Sequence, residues 1–241
     1  KNIIKYGLLS TAQIGLNAHL PASIESENSE IISISSRGIE KAKIAAEKYD
    51  IKKFFGSYQD QINDPEVDAI INSLPNSMHC DWTIKCAEAG KHILCEKPLA
   101  TTADECRKMI DAANANNVIL VEAFTHRWNH HLKTAKKIIK NGDLGSVVTT
   151  DSSLCFTTNP ENNIRFNPSL SGGALWDAGC YAVYATRFVL SEEPIGGAHR
   201  DHNYIGESLK KSLLDNLNNL REKDVDDLIA SRNERYLNYL P

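Results

Sequence analysis

The sequence predicts an α/β protein built on a doubly wound parallel sheet, and two observations carry that prediction. Short apolar runs alternate with helix-length segments through the first half of the chain. The runs end in small-residue or proline turns, such as "GLLSTAQIG", "ISSRG", "LPNSMH" and "CEKPLA". Strands separated by helices of this length imply parallel pairing, right-handed crossovers and a sheet covered on both faces.

Each element follows in turn. Ile3–Leu9 is the first strand, and Ile14–Ser26 reads as a helix despite Pro21. Glu30–Ser35 is the second strand, followed by a helix over Ile39–Tyr49 with alanines at good intervals. A short strand near Lys53–Phe55 precedes a small helix around Tyr58–Asn63. Val67–Ser73 is strand four, and the helix Ser77–Ala89 is closed by Gly90. His92–Glu96, a helix over Thr102–Asn116 and Val118–Ala123 complete the sheet. Beyond it, His131–Lys140 is an amphipathic helix, and Ser146–Phe156 alternates like a half-buried strand. "SGGALWDAGCYAVYATRFVL" reads as a glycine-rich turn feeding a helix from Leu175 to Leu190. Two polar helices are expected between Glu207 and Tyr239, the second starting at Asp224. The expected domains are residues 1–124, 125–194 and 195–241: the sheet, a truncated α+β second domain and a C-terminal helical pair.

Composition excludes several classes of function. The formal charge is −4, which gives no basic footprint for nucleic acid or an anionic membrane. No apolar run approaches the roughly 20 residues of a membrane span, and "NIIKYGLL" reads as a strand rather than a signal peptide. The six cysteines, Cys80, Cys86, Cys95, Cys106, Cys155 and Cys180, lack metal-ligand spacing. They read as reduced thiols in a cytoplasmic protein, and no metal is expected.

The strand ends carry the chemistry. A dinucleotide needs small residues where the first strand meets its helix, because the pyrophosphate lies against backbone there. Ser10 and Ala12 stand where the usual fingerprint has its first two glycines, and Gly15 takes the place of the third. The turn residues Ser10, Thr11, Ala12, Gln13 and Ile14 are therefore candidate cofactor ligands. At the end of strand two, Ser36 and Arg37, with Lys41 one helical turn on, replace the acid that would bind an adenosine ribose. A guanidinium offers forked donors to phosphate, so this end favours NADP, with NAD left open. Strand four ends in Leu74-Pro75-Asn76, with His79 close behind, and strand five ends in Glu96-Lys97-Pro98. Both ends face the crevice where ligands bind in such sheets, which makes Leu74, Pro75, Asn76, His79, Glu96 and Lys97 candidate cofactor ligands. Asp177 and Tyr181 are four residues apart, on one face of their helix.

With "AGKHILCEKPLA", "EAFTHRW" and "GGALWDAGCY", these motifs over residues 1–194 resemble the glucose-fructose oxidoreductase / inositol dehydrogenase (Gfo/Idh/MocA) family of NAD(P)-dependent enzymes. The resemblance implies a Rossmann domain and a second domain on an open antiparallel sheet. It also implies a dehydrogenase of sugars, polyols or diols, most similar to the dihydrodiol and aldose dehydrogenase branch. It assigns Lys97 to the nicotinamide ribose and the substrate hydroxyl, Asp177 and Tyr181 to the catalytic face opposite, and Arg127 to the cofactor side. Relatives associate through the second sheet, so association of copies of the chain stays open.

From Glu193 onward the text changes. "GGAHRDHNYIGESLKKSLLDNLNNLREKDVDDLIASRNERYLNYL" resembles the C-terminal tail of the acetyl-coenzyme A carboxylase carboxyltransferase alpha subunit. Two alternatives to a working dehydrogenase follow: an NADP-binding chimera without turnover, or a carboxylase component acting through its tail. Where the expected sheet is missing, the Leu175–Leu190 helix should expose apolar area.

Overall fold

The computed structural model describes residues 3–145, 147, 149–159, 161, 163–190, 207, 210–211, 214–215 and 218. Six strands form one parallel sheet: β1 (Ile4–Leu9), β2 (Ser29–Ser35), β3 (Lys53–Phe55), β4 (Ala69–Asn72), β5 (His92–Glu96) and β6 (Leu120–Ala123). Their order is β3-β2-β1-β4-β5-β6, so the order reverses between β1 and β4. That switch point opens a crevice at the carboxyl ends of the strands. The chain is a doubly wound Rossmann fold, as the alternation of runs predicts.

Helices α1 (Leu20–Glu25), α2 (Ile39–Tyr49), α3 (Tyr58–Ile62), α4 (His79–Glu88) and α5 (Ala103–Ala115) connect these strands. Two apolar clusters form the core. Leu9, Ile32, Ile62, Ile70, Cys86, Ile93 and Met109 fill one, and Leu8, Leu16, Leu20, Ile34, Ala46 and Ile71 the other. Adjacent residues such as Leu8 and Leu9, or Ile70 and Ile71, divide between the two, as the period of a strand requires. Strand β2 carries one irregularity: Tyr6 pairs with Ile31 but Gly7 with Ser33, leaving Ile32 as a bulge. The extra residue changes the phase of everything after it, including the tip at Ser36. Burial pushes the Cys86 thiol up to about 12 and the Cys95 thiol further, so both stay protonated core residues.

The first helix is present but divided. Gly15–His19 winds as a wide π-helical turn, and α1 continues from Leu20. Pro21 is the reason: it lacks an N–H, and its ring clashes with the carbonyl four residues back, so regular winding cannot pass through it. At α5, Thr102 accepts from the Glu105 amide and the Glu105 carboxylate accepts from the Thr102 amide, a reciprocal cap.

Residues 1–125 and 155–180 form one compact unit, and residues 126–154 and 181–241 another. The second contains α6 (His130–Lys140) and α7 (Cys180–Leu190), the latter starting at the border of the first unit. Asn129 caps α6 by accepting from the His131 amide, and His130 and His131 are exposed at the helix start. Within this unit Lys136 lies 4.4 Å from the Phe188 ring centroid, and Thr186 Oγ1 donates to Ser152 Oγ at 3.1 Å.

One expectation is corrected: the described residues of 146–156 form no strand. Alternation marks a face, but a strand also needs a neighbour for its backbone donors and acceptors. Among the described residues no strand follows Ala123 to provide one. In the helical run from Leu175, Leu175 and Val183 are more than half exposed. Glu207, Lys210, Lys211, Leu214, Asp215 and Asn218 are helical, and the helix expected from Asp224 lies outside the described residues. Among the described residues no helix is long and apolar enough to cross a membrane.

Candidate active site

The first turn holds an unusual backbone. Ser10 has φ of 82°, in the left-handed region that favours glycine. Its hydroxyl supports that conformation, donating to the Ser73 carbonyl at 3.2 Å and accepting from the Ala12 amide at 3.2 Å. Thr11 and Ala12 are half-buried, while Gln13 and Ile14 face outward. Gly15 is needed for contact: a Cβ there would sit 2.7 Å from Leu8 Cδ1. The helix therefore lies directly on β1, with its first amides at the crevice. No side chain caps the start of that turn.

At the tip of β2, Ser36 is buried and its amide donates to the Phe55 carbonyl at 3.1 Å. Arg37 and Lys41 are exposed. Helix α2 starts at Gly38 without a side-chain cap, leaving its amides and positive end beside those cations.

The loop after β4 is tied in two directions. Leu74 is buried, Pro75 precedes the short 3-10 turn Asn76–Met78, and Asn76 Nδ2 donates to the Ser171 carbonyl at 2.8 Å. His79 is 1% exposed, with Nδ1 2.8 Å from the Pro98 carbonyl and Nε2 2.8 Å from the Leu74 carbonyl. It acts on the site by tethering two loops. Burial pulls its pKa below the ordinary value, although both carbonyls favour the charged ring. A depressed imidazole pKa makes stability fall as pH drops below about 6.5, where the unfolded chain takes a proton that the fold resists. Urea midpoints for the parent should therefore decline between about pH 7 and pH 5, and His79→Gln should remove its share of that slope.

Glu96, Lys97 and Pro98 follow at the end of β5. Glu96 Oε1 accepts from His19 Nε2 at 2.7 Å, while its Oε2 accepts from the Lys97 amide at 3.1 Å. The Lys97 ammonium donates to the Asp177 carbonyl at 2.6 Å and to Asp177 Oδ1 at 3.2 Å. Arg165 Nε donates to Asp177 Oδ2 at 2.6 Å. One carboxylate thus lies between two cations. Asp177 lies in a π-helical turn, Leu175–Gly179, and its amide donates to the Gly173 carbonyl at 3.0 Å. Gly172 allows the loop carrying Arg165 to approach, since a Cβ would be 2.4 Å from the Ile164 carbonyl oxygen.

The structure therefore brings Lys97 and Asp177 together. The turn after β1, the tip of β2 and the loop after β4 lie at the carboxyl ends of neighbouring strands. Tyr181 and Arg127 belong to the second unit, where Tyr181 packs against His126 with ring centroids 4.2 Å apart. Two residues escaped the sequence reading. His19 is a lone histidine in a helical segment, with no local signal. Arg165 stands seven residues before the Gly172-Gly173 pair of a motif that was read, and that proximity is the only hint it offered.

Residues 4–124 match the model of an oxidoreductase family with an NAD-binding Rossmann fold, and residues 132–227 match the GFO/IDH/MocA C-terminal domain. The chain belongs to the GFO/IDH/MocA oxidoreductase family. The expected carboxyltransferase-like tail is corrected: the second match continues past Glu193, where that resemblance starts, and the comparisons give no support for it. Among GFO/IDH/MocA relatives, an NADP(+) D-xylose 1-dehydrogenase of Haloferax volcanii is 38% identical over 186 residues, 77% of this chain and 57% of its own. An uncharacterised oxidoreductase of Rhizobium meliloti is 33% identical, covering 80% of this chain and 58% of that protein. The aldose-aldose oxidoreductase of Caulobacter crescentus, solved with glycerol, superimposes with a TM-score of 0.72 at 32% identity, over 80% of this chain and 59% of that one. A 3-ketoreductase of Actinomadura kijaniata, solved with NADP and TDP-benzene, gives 0.75 at 28% identity, over 78% and 58%. The chain spans 57% to 58% of the length of the two curated relatives named here.

Proposed function

We propose that the chain is an NADP-dependent oxidoreductase that moves a hydride between the nicotinamide and a carbon bearing a hydroxyl in a sugar, polyol or diol. The single observation that carries this reading is the Lys97 ammonium at the carboxyl end of β5, held against Asp177 beside the switch point. The names of the xylose dehydrogenase and the two solved reductases support the substrate class and the cofactor.

The residues present fit a dinucleotide. The left-handed Ser10 and the close seat of Gly15 on Leu8 leave the first turn open to a pyrophosphate. Ser10, Thr11, Ala12, Gln13 and Ile14 would hold that group, and Leu74, Pro75 and Asn76 would line the crevice beside it. Ser36, Arg37 and Lys41 would hold the 2′-phosphate at the uncapped start of α2. The bound nicotinamide supplies the hydride acceptor. Lys97 would bond the nicotinamide ribose and donate to the substrate hydroxyl, stabilising the alkoxide as it forms. Tyr181 would take the hydroxyl proton, and a phenol with an ordinary pKa near 10 needs a cation to lower it for that role. Asp177 orients Lys97, and Arg127 flanks the cofactor. The free cysteines fit a reducing, cytoplasmic compartment.

Titration with NADP and NAD, followed by an aldose and diol panel, tests the proposal. Saturable NADP binding and turnover support it, and absence of NADP binding overturns it. Arg37→Ala should weaken NADP about tenfold while leaving NAD within about twofold, because only NADP carries the phosphate that the guanidinium meets.

A further inference from the structure

We propose that His19 is a positioning residue that holds the Glu96 carboxylate off the Lys97 ammonium, coupling the first turn to the lysine; this rests on the dehydrogenase reading above. His19 closes the π-helical turn that starts at Gly15, and it reaches 77 residues along the chain to Glu96. Both side chains are largely buried, with 17% and 12% exposure, so the bond is not a solvated surface pair. The carboxylate accepts, and the imidazole Nε2–H donates, at 2.7 Å. The other oxygen accepts the Lys97 amide, so each oxygen of Glu96 has a partner of its own. The Lys97 ammonium donates to Asp177, through its carbonyl and Oδ1.

The arrangement has a physical consequence. A carboxylate this buried keeps a partner, since losing one leaves a desolvated charge. Without His19, the next cation in the chain is Lys97 itself. Glu96 would then compete with Asp177 and with any ligand for the amine. His19 thus acts through Glu96, and the first turn of the cofactor domain sets where the lysine points. The wide winding of Gly15–His19 is part of the device, since such turns redirect the residues that follow. His79 holds the far side of the same tripeptide through the Pro98 carbonyl, so two histidines fix the loop from two helices.

A double-mutant cycle on the full chain tests this, with NADPH affinity measured by calorimetry. His19→Ala and Lys97→Met are each expected to weaken binding about tenfold, and the double variant to bind no more weakly than Lys97→Met alone. His19→Gln, which keeps a donor, should return to within about twofold of the parent. A merely structural role for His19 would make the two losses multiply, and that result overturns the inference. So does a His19→Ala chain that binds like the parent. If the parent fails to bind NADPH, or Lys97→Met binds as the parent does, the dehydrogenase reading itself falls and takes this inference with it. Thermal midpoints of all four chains establish that each is folded.

Discussion

Lys97→Met lowers kcat/KM for the preferred sugar or diol about a thousandfold, with the circular dichroism spectrum unchanged. The thioether keeps most of the volume and removes every donor. Three contributions are lost together: the bond to the substrate hydroxyl, the positive charge that favours the alkoxide, and the anchor of Asp177. Asp177 keeps its partner in Arg165, so the carboxylate is not abandoned in a buried site and the fold survives. Steady-state kinetics on purified chains, read beside NADPH titration, checks the result. A variant within about tenfold of the parent would remove Lys97 from the chemistry.

Gly172→Ala produces the second large effect, from a single methyl group that touches no ligand. Its Cβ would stand 2.4 Å from the Ile164 carbonyl oxygen and 2.7 Å from that of Arg165. Both obstacles are backbone, so the loop must move rather than a rotamer change. Arg165 travels with it and leaves Asp177 Oδ2, which it now meets at 2.6 Å. A displacement of about 1 Å at a reacting group can reduce a rate about a hundredfold. The expected outcome is a loss of that size in kcat/KM, with NADPH affinity within about twofold of the parent. Unchanged kinetics would show that the Arg165 loop does not govern Asp177.

The sheet was legible because each strand is a compact apolar run closed by a turn, and because the runs are separated by helices. The bounds of the helix Ile39–Tyr49 and of the strands Lys53–Phe55 and His92–Glu96 agree to the residue for that reason. Lys97 was legible from its place at a strand's carboxyl end beside the switch point. The pairs His19–Glu96 and Arg165–Asp177 were not, since each is set by tertiary approach rather than by local pattern. The π-helical winding was hidden too: Pro21 announced an interruption without saying how the backbone would resolve it. The segment 146–156 failed for the converse reason, since its pattern described a face while pairing depends on what lies alongside.

Ser10 has a thermodynamic consequence of its own. A glycine there would roam both halves of conformational space when unliganded, and confining it would subtract from the free energy of association. The serine is already confined, with its hydroxyl fastened to Ser73 and to the Ala12 amide. The ordering entropy is thus lost once, when the chain folds, and a nucleotide arriving later meets a loop with little freedom left to surrender.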